Sequence, residues 1–177
     1  MINDNDNSPI TQLPNALTLC NITMGLSSII TASFGNFTLA GLLIIIGAIF
    51  DRLDGHVARK YRVTSEMGKQ LDSLADVITF GLAPAISIFL LSFTDTIVLG
   101  FFMTVIFVTC GAYRLARFNI LNYQDVFVGM PITAAGFLLA LLTLFQTQMV
   151  IIHPYLTAVG MLLLSYLMVC KREIKKV

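Results

Sequence analysis

Asp51 and Asp54 stand three residues apart, and Asp72 and Asp76 four apart. Helical spacing of three or four puts each pair on a shared face. Both pairs border apolar sequence: Asn36 to Phe50 carry no charge, and neither does the stretch from Val77 to Thr94. Four carboxylates gathered at the edge of such runs repel one another. Mg²⁺ or Mn²⁺, which prefer oxygen ligands, would relieve that repulsion. Two such ions about 3.5–4 Å apart, bridged by shared carboxylates, make a phosphoryl-transfer site. The competing reading is ion pairing with Arg52, Arg59, Arg62 or Lys69 in a solvated loop. Two face-sharing pairs beside membrane-like segments favour function, because ionisable groups at such depths are usually functional. Gly55 lies one turn after Asp51 and Gly68 one turn before Asp72. With Ala58 they strip bulk from the same surface, so a flat ligand could approach the backbone. Close helix packing is the other use of such residues.

The elements that carry these acids are set by composition. Of 177 residues, 56% are hydrophobic and 12% charged. A soluble domain of this size could not hide that much apolar surface, so the chain is expected to be an all-α polytopic membrane protein. A spanning helix needs about 20 mostly apolar residues. Six candidates fit: about 15–33, 37–60, 69–92, 95–118, 130–150 and 153–171. From Asn36 to Asp51 a helix rises only about 22 Å, less than the ~30 Å hydrocarbon core. Asp51 is therefore expected near one membrane boundary, with Asp72 and Asp76 at the same depth on the antiparallel neighbour. The basic residues fall at Arg52 to Arg62, Lys69, Arg114 with Arg117, and the stretch from Lys171 onward. Six spans place all of them on one side, which the positive-inside rule makes cytosolic, together with both termini. The polar start, MINDNDNSPITQLPN, lacks the basic region of a cleavable signal peptide. The division expected is a polar cytosolic segment over 1–13, a six-helix catalytic domain over 14–171 and a basic cytosolic tail over 172–177. Net charge is +1, which gives no reason to expect nucleic acid as a partner. Cys20, Cys110 and Cys170 have no metal-ligand spacing and read as reduced packing residues.

Asp51-x-x-Asp54-Gly55-x-x-Ala58-Arg59, eight residues, Gly68-x-x-x-Asp72-x-x-x-Asp76 matches the signature of the CDP-alcohol phosphatidyltransferase family at all its fixed positions. The resemblance implies a six-helix enzyme of the cytoplasmic membrane, usually a homodimer, that moves a phosphatidyl-type group from a CDP-linked donor to an alcohol and releases CMP. It implies that Asp51, Asp54, Asp72 and Asp76 hold two divalent metals, Mg²⁺ or Mn²⁺. It places Asp51, Gly55, Ala58, Arg59 and Gly68 at CDP-diacylglycerol, with Asp76 as the base. "YRLARFN" (113–119), "FVGMPITAAG" (127–136) and "LDSLADVITFGLAPA" (71–85) look like the bacterial and archaeal phosphatidylserine synthases of this family. The similarity runs from about Pro14 to the end of the fifth helix. L-serine is then the expected acceptor.

The carboxylate of such an acceptor needs a cation. Arg114 and Arg117 are three apart at the cytosolic end of the fourth helix, and an arginine fork matches a carboxylate bidentately. The same residues could simply mark the inner boundary, or one could hold the lipid phosphate. Arg59 is open to a similar double reading, as phosphate ligand or boundary charge. Asn15 could face the cytidine or mark an N-terminal turn. Pro84 is expected to kink the third helix. Two rival functions remain. One is a sibling enzyme using glycerol 3-phosphate or an inositol phosphate, which the scarcity of further basic residues disfavours. The other is a divalent-cation transporter or channel, which would place its acids nearer the bilayer midplane.

Overall fold

The computed structural model describes residues 9–121, 126–149, 152–170 and 173–175. Most of the expected N-terminal segment and part of the expected tail lie outside the described residues. Six helices follow in order: α1 (Pro9–Ser33), α2 (Phe37–Tyr61), α3 (Glu66–Ser92), α4 (Ile97–Leu121), α5 (Ile132–Gln148) and α6 (Pro154–Val169). Two short strands, β1 (Val126–Val128) and β2 (Glu173–Lys175), pair antiparallel and tie the α4–α5 connection to the chain beyond α6. Boundaries differ from expectation mainly at α1, which starts at Pro9 rather than near residue 15. Proline suits a first turn, where its missing N–H has no partner to lose.

Gln12–Ser33 of α1, α3 and Ile97–Ile120 of α4 are long and apolar enough to cross a membrane. Helix α2 has 25 residues but carries charge through its last third. Helices α5 and α6 are apolar but only 17 and 16 residues long. The molecule is an all-α polytopic membrane bundle. The outward faces agree with that reading. Leu19, Ile30, Phe101, Phe102, Leu156, Leu163 and Tyr166 are all exposed, an apolar exterior suited to a lipid surrounding.

Helix α3 is the centre. Phe80, Ala83, Ala85 and Ile88 are fully buried along it, packed with Ile44 of α2, Phe107 of α4 and Ile132 and Leu139 of α5. Helices α1 and α2 pack closely on one side of α3, while α4 packs on α3 and α6. The approach of α5 to α3 depends on Gly136. A Cβ there would come within 2.6 Å of the Phe80 Cα, against backbone that has no freedom to yield.

The expected disturbance at Pro84 takes a definite form. Val77–Leu82 make a π-helical turn, in which the Ala83 N–H reaches back five residues to the Ile78 carbonyl. A wider turn suits the approach to Pro84, which has no N–H for an α ladder. The helix therefore continues instead of breaking. The turn begins immediately after Asp76.

Candidate active site

Helix α2 runs past its apolar section so that Asp51 and Asp54 are held on rigid helix. It stops where Arg62 takes a left-handed conformation (φ 55°), its N–H turned to the Ala58 and Arg59 carbonyls. Ser65 then caps α3, its Oγ accepting the Gly68 N–H at 3.0 Å. So tight a reversal runs α2 and α3 antiparallel; their backbones come close along the apolar part of α3, and a cavity opens between their charged ends.

The result is a convergence of acids. One carboxylate oxygen each from Asp51, Asp72 and Asp76 lie within 4.8 Å of one another. Asp54 is held apart from this trio. It is buried, and its Oδ2 accepts the Thr18 hydroxyl of α1 at 2.8 Å. The ion-pairing alternative does not describe the site. Among the described residues the one ion pair is Lys69 with Glu66 at 2.6 Å, an exposed pair that contributes little. None of Arg52, Arg59, Arg62 or Lys69 pairs with the four acids. Asp76 is 8% exposed, and its Oδ1 is a buried acceptor with no partner. An orphaned carboxylate oxygen beside two more carboxylates is a donor set that suits a hard divalent cation.

The acids line a cavity of about 690 Å³ between α1, α2, α3 and α5. Asp51, Asp54, Gly55, Ala58, Arg59, Gly68, Asp72 and Asp76 all lie on its wall. Its glycines do what bare surface allows. The Arg59 guanidinium folds over Gly55, with Nη1 3.3 Å from where a Cβ would stand. At Gly68 a Cβ would meet Asn15 Oδ1 at 3.1 Å. Asn15 therefore belongs to the cavity, as one of its two sequence readings allowed. Thr18, Ser65 and Thr133 also line it, and composition alone did not single them out; Lys69, named above as a candidate ion-pair partner, lines it too. Ser65 could have been found as a Ser directly before a helical run. Thr18 could not, because its role depends on how α1 packs against α2.

Arg114 and Arg117 do not line this cavity. Arg117 Nη1 donates to the Val169 carbonyl at 3.3 Å, joining α4 to the end of α6. Arg114 sits over the Phe118 ring, 5.8 Å from its centroid, and its Nε is buried without a partner. The Asn119 Nδ2 donates to Ser73 Oγ at 2.9 Å, fixing this end of α4 beside the acid-bearing part of α3.

The sequence pattern that describes CDP-alcohol phosphatidyltransferases matches residues 11–170. The chain belongs to the CDP-alcohol phosphatidyltransferase family. Among similar members is a protein of Bacillus subtilis named CDP-diacylglycerol–serine O-phosphatidyltransferase, 36% identical over 90% of this chain and 87% of its own. Proteins of the same name from Helicobacter pylori and Methanocaldococcus jannaschii are 40% and 43% identical, over 80% and 73% of this chain. The alignments cover 61% and 59% of those two longer chains. An archaetidylserine synthase of Methanothermobacter thermautotrophicus is 38% identical over 77% of this chain. The family match takes in every acid of the cluster and all six helices of the bundle.

Proposed function

We propose that this phosphatidyltransferase moves the phosphatidyl group of CDP-diacylglycerol to the hydroxyl of L-serine and releases CMP. The observation that carries the chemistry is the meeting of Asp51, Asp72 and Asp76 within 4.8 Å, on the wall of a cavity that also presents the bare surfaces of Gly55 and Gly68. The names of the similar proteins support serine as the acceptor.

The four acids are the proposed holders of two divalent ions, Mg²⁺ or Mn²⁺. When bound, such ions supply charge neutralisation at the pyrophosphate as the bond to CMP breaks. The remaining work falls to the chain. Thr18 holds the Asp54 carboxylate in place from α1. Gly55, Ala58 and Gly68 let the nucleotide lie against backbone, with Asn15 at its edge. Arg59, folded over Gly55, is placed to hold a phosphate oxygen. Asp76 is the proposed base. As the serine oxygen bonds to the phosphatidyl phosphorus, its proton passes to the Asp76 carboxylate. The electron pair of the breaking P–O bond leaves with CMP. A partly buried carboxylate can take that proton as attack proceeds, which a free hydroxyl at neutral pH needs.

The clustering of Arg and Lys at one end of the bundle supports a cytosolic face for the site and for both termini, in the cytoplasmic membrane. Serine and CMP then exchange with the cytosol while the acyl chains of the donor remain in lipid. The test is CMP release from CDP-diacylglycerol by purified protein, offered serine, glycerol 3-phosphate, an inositol phosphate or no acceptor. Serine-dependent release is the expected result. Release with a phosphorylated acceptor and not with serine would overturn the assignment of the acceptor. No release with any alcohol would overturn the activity itself.

A further inference from the structure

The acid-bearing end of α3, Glu66–Asp76, makes little direct backbone contact with α2. Both pack on α1 instead, so the relation of Asp51 to Asp72 and Asp76 is set through a third helix. Residues 15, 18 and 21 of α1 make the connections, and spacing of three keeps them on one side of that helix. Asn15 Oδ1 lies against the bare surface of Gly68 at the start of α3. The Thr18 hydroxyl donates to Asp54 Oδ2 of α2 at 2.8 Å. One turn deeper, the Asn21 carbonyl accepts the Thr79 hydroxyl of α3 at 3.0 Å. Asn21 and Thr79 are both fully buried.

Thr79 is held closely from both sides. It lies three residues beyond Asp76, inside the π-turn. Gly25 of α1 and Gly47 of α2 form a socket around it. A Cβ at Gly25 would stand 2.5 Å from Thr79 Oγ1 and 2.9 Å from its Cα, and one at Gly47 would stand 2.7 Å from its Cγ2. Three helices therefore meet at one side chain, a turn inward from the acids. A π-turn interrupts the regular α ladder, so the orientation of Asp72 and Asp76 depends on what that turn packs against. We propose that Thr79 is a positioning residue of the metal centre: its hydroxyl, bonded to the Asn21 carbonyl, fixes the rotation of α3 against α1 and holds Asp72 and Asp76 where they share a divalent ion with Asp51. The proposal rests on the metal reading given above and deepens it. Thr79 does not line the cavity, so it acts through the acids and not on the ion.

The experiment measures Mn²⁺ binding to purified protein by electron paramagnetic resonance, together with the Tm in detergent. The variants are Thr79→Val, Thr79→Ser, Thr79→Ala and Gly100→Ala. Valine keeps the shape of threonine and removes the hydroxyl; serine keeps the hydroxyl and removes the methyl. Thr79→Val should raise the Kd for Mn²⁺ about 2- to 12-fold, the net worth of one hydrogen bond, and Thr79→Ser should bind as wild type does. Serine and alanine differ by the hydroxyl alone, so Thr79→Ala should bind more weakly than Thr79→Ser, even if the valine variant does not fold. Gly100→Ala is the control for lost stability. Its Cβ would stand 2.5 Å from Phe93 Cβ, at the other end of α3, so its Tm should fall with Mn²⁺ affinity unchanged. Equal Kd values in the serine and alanine variants would overturn the proposal while leaving the metal reading intact. So would a loss of affinity in Gly100→Ala as large as that in Thr79→Val, which would assign the effect to stability. A wild type that binds no Mn²⁺ would remove the metal reading, and this inference with it.

Discussion

At the scale of single residues, the acids divide by environment. Asp51, Asp72 and Asp76 converge, whereas Asp54 is steadied by Thr18. Asparagine keeps the shape of aspartate and removes its charge, so it separates ion binding from packing. Asp51→Asn and Asp72→Asn should weaken Mn²⁺ binding, read by electron paramagnetic resonance, and lower turnover by orders of magnitude without loss of membrane insertion. EDTA should abolish activity, and Mg²⁺ or Mn²⁺ should restore it; full activity after exhaustive chelation would refute the metal role. Asp76→Asn should damage kcat more than the KM for CDP-diacylglycerol. Help from a general base is commonly worth about 10² to 10⁴ in rate. Near-normal kcat in this variant would assign the proton to another group. The convergence of Asp51, Asp72 and Asp76 is legible in the sequence, because spacing of three and four on neighbouring helices leaves few other geometries; the separation of Asp54 from them is not. Nor is the support that the acids receive. Thr18, Asn15 and the Val169 carbonyl reach their partners across helix interfaces, and local sequence does not encode which face meets which.

At the scale of elements, α3 carries the two strictest demands. It must bring Asp72 and Asp76 to Asp51, and it must lie against α5 at backbone distance. Gly136 makes the second possible. Gly136→Ala should destabilise the bundle by about 1–3 kcal/mol, as overpacking does, and lower the Tm in detergent. Gly160→Ala is the matched control. Nothing lies within 4 Å of the Cβ it would gain, and alanine favours helix over glycine, so its Tm should hold or rise slightly. Equal Tm values for the two variants would show that α5 has room to move away from Phe80. The helices themselves are legible from long uncharged runs and from the breaks around Gly35 and Asp95. The π-turn is not. Pro84 signals a disturbance, but a five-residue reach from Ala83 to Ile78 leaves no mark in composition, and a kink is the natural expectation.

At the scale of the whole molecule, the proposed orientation has a direct check. In a background without Cys20, Cys110 and Cys170, a cysteine at Gly35 or Asp95 should react with an impermeant thiol reagent from outside intact cells. One at Thr64 should react only after permeabilisation. The opposite pattern would place the acid cluster on the outer face. The bundle is also uneven in height. The helical stretches of α1 and α3 hold 25 and 27 residues, those of α5 and α6 only 17 and 16. At 1.5 Å per residue the short pair spans roughly 24–26 Å, several ångströms less than a typical ~30 Å hydrocarbon layer. Lipid beside α5 and α6 must thin, or flanking side chains must snorkel to the interface, to relieve hydrophobic mismatch. Bilayer thickness thus becomes a variable of this protein in its own right, with shorter acyl chains matching one flank and longer chains the other.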